Sequence, residues 1–178
     1  MVHSEQMKRL LQSERSDAGD RTFDALYAVD RSQIDVGARI RRFRAALVHS
    51  PSDATRSALA DYERIAGELA RIESALSAFQ SSMGACVALC VDAEQAAGGN
   101  KPIPGGHVEK MKELTEKSAE ALADFRDSVG RLALAADGVN DPRLSSLADD
   151  LGKEAAALAR VVESCRESLS AMTPREGE

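Results

Sequence analysis

Leu59, Tyr62, Ile65, Leu69, Ile72, Leu76, Phe79, Met83, Cys86 and Cys90 follow one another at steps of three and four. That spacing returns every side chain to one narrow seam of an α-helix, the pattern of helices packed side by side along their length. Polar residues fill the intervening positions, so the stripe predicts one long amphipathic helix. Two further stripes follow. Val108, Met111, Leu114, Leu122, Phe125, Val129 and Leu132 make one; Leu144, Leu147, Leu151, Ala155, Leu158, Val162, Cys165, Leu169 and Met172 make the other.

Punctuation between the stripes sets the element boundaries. Ser50-Pro51-Ser52-Asp53 reads as a tight turn and a new start, with Ser50 capping, Pro51 first in the helix and Asp53 completing a capping box. Gly98-Gly99 stops the second helix, and the Gly/Pro-rich stretch 98–106 is a connector stiffened by Pro102-Ile103-Pro104. Asp137-Gly138 ends the third helix, and Asp141-Pro142 starts the fourth. Residues 3–49 read as one helix kinked near Gly19. The chain is therefore expected to be all-α: an elongated antiparallel bundle of four helices with coiled-coil-like packing, the first two helices longest. Residues 1–172 form a single domain and 173–178 a disordered tail.

The first helix differs from the others. Its apolar residues spread over two adjoining faces, with Phe23, Leu26, Tyr27, Ile34 and Val48 on one and Val29, Val36, Ile40, Phe43 and Leu47 towards the other. So wide an arc fits a helix that packs against two neighbours or takes part in oligomerisation. Helices three and four, at about 31 residues, span near 45 Å, against roughly 70 Å for helix two. If helix four folds back, the end of the molecule away from the 98–106 connector is left as a two-helix hairpin. Its seam of Ile40, Phe43, Leu47, Leu59, Tyr62 and Ile65, rimmed by Arg41 and Arg44, is then the expected interface for a partner or a second copy of the chain. In the alternative arrangement helix four continues past a kink at Pro142, and a three-helix coiled coil buries the strip.

Composition and charge narrow the function. The net charge is −6, Trp is absent, and the aromatic residues are only Phe23, Phe43, Phe79, Phe125, Tyr27 and Tyr62. Nucleic-acid binding calls for clustered Lys and Arg with aromatic stacking platforms, so it is not expected. An anionic membrane surface is disfavoured by the same acidic balance. The dense basic cluster, Arg39-Ile40-Arg41-Arg42-Phe43-Arg44, fans out over a wide helical arc. The polar opening and the lack of a long apolar run lead us to expect a cytoplasmic protein.

Candidate chemistry is sparse. Cys86 and Cys90 share a helix face, and Cys165 and His107 fall near the same end of an up-down-up-down bundle, a set that suits a tetrahedral metal site. All three cysteines also occupy heptad core positions, where Cys packs as a small hydrophobe, so neither a metal nor a cofactor is expected. No Ser-His-Asp, HExxH or phosphate-cradling Gly-rich motif occurs. The reading is a non-enzymatic adaptor, scaffold or assembly subunit, with a homodimer expected. A sensor bundle holding a small ligand or metal between helices is the alternative.

The layout of two long helices, a tight turn and an amphipathic N-terminal stretch over residues 3–97 is similar to the BAR-domain family. That resemblance implies a curved dimer that lies on a membrane surface.

Overall fold

The computed structural model describes residues 2–98 and 105–171, with side chains described for 17–89, 91–92 and 106–170. Four helices account for them: α1 (Val2–His49), α2 (Asp53–Gly98), α3 (Gly105–Val139) and α4 (Pro142–Ala171). The 173–178 tail, the Pro102-Ile103-Pro104 segment and the Met172 end of the last stripe lie outside the described residues. No described helix is long and apolar enough to cross a membrane.

α1 is assigned as one helix from Val2 to His49, through Gly19. The turn that follows starts α2 two residues later than the sequence suggested. Ser52, not Ser50, is the cap: its Oγ accepts from the Thr55 N–H at 3.1 Å, satisfying one of the unpaired donors of the first turn. α3 likewise passes through Gly138. It stops at Asn140, whose positive φ of 50° lets the Asp141 N–H reach back to the Ala136 carbonyl at 3.4 Å. Asn tolerates the left-handed region, and Pro142 bars continuation. Asp141 then caps α4, accepting from the Arg143 N–H at 3.1 Å.

α4 folds back, so the three-helix alternative does not hold. α1 packs on α2, α2 on α3, α3 on α4 and α4 on α1. The stripes meet in one core. Val29, Val36, Ile65, Leu69, Ile72, Leu76, Phe79, Phe125, Leu132, Leu151 and Leu158 are buried in it. Charged pairs tie its edges. Arg131 and Arg71 hold the buried carboxylate of Glu68, Arg21 reaches Glu154 at 3.1 Å, and Arg166 reaches Glu116 at 2.7 Å.

The register of α3 against α2 decides what is left bare. Cys86 lies against Met111 and Thr115, Ser82 against Ser118, and Glu68 against Arg131. Carried on through the full 35 residues of α3, this pairing delivers Asp141 to Tyr62. The bundle therefore closes further along the hairpin than the helix lengths suggested. Ile40, Tyr62 and Ile65, expected to await a partner, are buried within the chain itself. Phe43 and Leu59 pack against the same core, half-buried.

Candidate functional site

At the closed end, three polar side chains from three parts of the chain form a triangle. Arg39 Nη1 donates to Tyr62 Oη at 2.6 Å, and that hydroxyl donates to Asp141 Oδ2 at 3.1 Å. Arg39 Nη2 completes the triangle with Asp141 Oδ2 at 3.2 Å. The guanidinium carbon stands 5.3 Å from the centre of the Tyr62 ring, and the Phe43 ring lies 5.6 Å away on a tilt of 41°. Asp141 is only 7% exposed. It therefore performs two tasks at once, capping α4 and locking that helix to α1 and α2.

Burial raises the pKa of the Tyr62 phenol, the Arg39 charge opposing it. A folded-state value above the unfolded one means the contribution to stability is complete below pH ~10 and is lost as pH rises through the folded value. Alkaline unfolding is expected to begin above that pH. In Tyr62→Phe this tyrosine-linked loss should vanish from a pH series of urea midpoints.

Beside the triangle, a cavity of about 250 Å³ is lined in part by Ser32, Asp35, Arg39, Arg42, Asp141 and Arg143. Three arginines and two carboxylates line it, and one of these carboxylates, Asp141, already occupies the α4 N-terminus. A second cavity of about 220 Å³ opens between α1, α2 and α4, lined by Ala18, Thr22, Phe79, Met83, Val87 and Cys165 among others. It is mainly apolar and smaller than the pockets that hold drug-sized ligands.

The described metal candidates, Cys86, Cys165 and His107, make no group placed to hold a metal ion. Cys86 is buried against α3, its Sγ 3.8 Å from the Met111 carbonyl oxygen and from Thr115 Oγ1. Cys165 is buried on α4, and His107 is half-buried at the start of α3. The Cys90 side chain lies outside the described residues. Among the described residues no group of three or more His, Cys, Asp or Glu is placed to hold a metal ion.

The arginine cluster divides by its partners. Arg39 joins the triangle and Arg44 reaches Glu63 at 2.7 Å, while Arg41 and Arg42, the latter at the rim of the cavity beside the triangle, are exposed and make no ion pair among the described residues. Of the expected interface, Leu47 is half-buried and Arg41 exposed; the rest is engaged within the chain.

Among the described residues, Val48 near the end of α1 and Leu134 on α3 are exposed large apolar side chains, and three more gather on the back of α1. Phe23 is 65% exposed, Tyr27 58% and Ile34 62%. At 100° per residue they fall within about 40° of one another and opposite buried Val29 and Val36. No family model, no curated protein and no solved structure matches this chain. Its surface chemistry is thus the guide to what it does. Large apolar side chains scattered singly on a surface are ordinary, but three on one face of one helix make a patch. The signal was legible in the sequence as the first of the two apolar faces of helix one. Which face pointed inward was not.

Proposed function

We propose that this chain is a non-enzymatic helical-bundle protein that works by binding protein, as an adaptor, scaffold or assembly subunit, through the outward face of α1. A cytoplasmic setting goes with this reading. The single observation that carries it is the exposure of Phe23, Tyr27 and Ile34 on the side of α1 facing away from its own core. Burying each such side chain stabilises a complex by about 1.5–3 kcal/mol, and nothing within the described chain covers them.

Hydroxyl-radical footprinting in the cell and on the purified protein tests it. Phe23 and Tyr27 should be protected relative to the same protein at high dilution. Labelling in the cell as heavy as in the dilute monomer would overturn the reading. The cavity between α1, α2 and α4 favours a second reading, a bundle that senses a small apolar ligand, and its volume of about 220 Å³ suits a molecule of about one aromatic ring or a little more.

A further inference from the structure

The charges along the outward face of α1 are sorted by sign. Asp20 and Asp24 lie towards its N-terminal side, and Arg41 and Arg42 towards its C-terminal side. All four are exposed, and none makes an ion pair among the described residues. Between them stand Phe23, Tyr27 and Ile34, with half-buried Ala38 following on the same face. The order of the face is thus acid, apolar, apolar, base.

We infer that the occupant of this face is a second copy of the chain, with the two α1 helices packed antiparallel about a two-fold axis near residues 30 and 31. This rests on the protein-binding reading above and names its partner. In that register Tyr27 of one copy meets Ile34 of the other, and Phe23 meets Ala38. Asp20 falls between Arg41 and Arg42 of the facing helix. An isologous two-fold contact of this kind needs a patch complementary to itself under reversal, and the sorted charges supply it. Parallel pairing sets Asp20 against Asp20 and Arg41 against Arg41, and like charges facing across a contact oppose it. Asp30 and Arg31 lie on opposite edges of the stripe, so each faces its own copy at a solvated rim, where such contacts count for little. These are two contacts per dimer, whereas each Asp20 faces two arginines, and does so twice per dimer.

Exchanging the charges tests the pairing without touching the core. By sedimentation equilibrium at low salt, Asp20→Arg and Arg41→Asp should each weaken self-association roughly tenfold. The double variant, Asp20→Arg with Arg41→Asp, should recover most of the loss, and 1 M NaCl should level the four proteins. Helicity by circular dichroism should be the same in all. Single variants that associate like the unmodified chain, or a double variant that stays weak, overturn the proposal. A purified chain that is monomeric at every concentration, yet protected at Phe23 and Tyr27 in the cell, overturns the second copy and leaves the protein-binding reading standing. Loss of protection everywhere removes both.

Discussion

Asp141→Ala is expected to lower the free energy of unfolding by about 2–4 kcal/mol. Losing the cap on the Arg143 N–H accounts for about 1 kcal/mol of this. The remainder comes from a carboxylate, 7% exposed, that accepts from the Tyr62 hydroxyl and faces Arg39. Hydrogen bonds to charged groups contribute about 1.5–3 kcal/mol each. The Arg39 contact is discounted because that side chain is 43% exposed and screened by water. Asp141→Asn retains the cap geometry and should fall between the two. Tyr62→Phe leaves the Arg39–Asp141 pair in place and should cost about 1 kcal/mol. The measurement is the urea midpoint, with an unchanged slope marking a two-state loss of stability. An alanine variant within 0.5 kcal/mol (roughly the scatter of a neutral surface change) would mean that α4 is not held to the hairpin at this point.

Tyr27→Asp is expected to do the opposite: leave the isolated chain as stable as before and abolish its self-association. Tyr27 is exposed in the single chain, so its folding free energy should shift by no more than about 0.5 kcal/mol. In a two-fold dimer the substitution occurs twice. Two buried apolar side chains at about 1.5–3 kcal/mol each amount to at least a hundredfold in Kd at 1.4 kcal/mol per tenfold. Phe23→Asp should act similarly. Leu134 on α3 is exposed as well but stands on another helix. Leu134→Asp should therefore leave association unchanged, which separates a specific face from general stickiness.

The stripes of α2, α3 and α4 were legible over their described positions because each is a one-sided pattern, and a one-sided pattern has only one way to face a core. Of the ten positions on the α2 stripe, those from Tyr62 to Phe79 are buried, and Leu59 and Met83 pack beside them. α1 was legible only as far as having two apolar faces. Periodicity gives the angle between side chains but not which neighbours are present, and that depends on how far α3 and α4 reach. Two residues more at each end of α3 carried Asp141 to Tyr62, a contact across 79 residues that no local pattern marks. Asp141 read as a cap and nothing else. Nothing local marks Glu68 as a buried acid; its carboxylate is held by Arg131, 63 residues away. The surface left uncovered thus moved from the hairpin seam to the back of α1.

Distances between two α1 helices test the central claim most directly. A keto-reactive spin label on p-acetylphenylalanine, placed at Arg31 or at His49, leaves the native cysteines untouched. The two positions lie on the same side of the helix, five turns apart. In an antiparallel dimer centred near residues 30 and 31, labels at position 31 are separated by little more than the interhelical distance of about 8–10 Å plus their own length. Labels at position 49 stand about 55 Å apart along the axis. A short distance at 31 and a long one at 49 is the expected result. Equal short distances at both positions mean parallel helices, and no dipolar signal at position 31 means no dimer through this face; either contradicts the account.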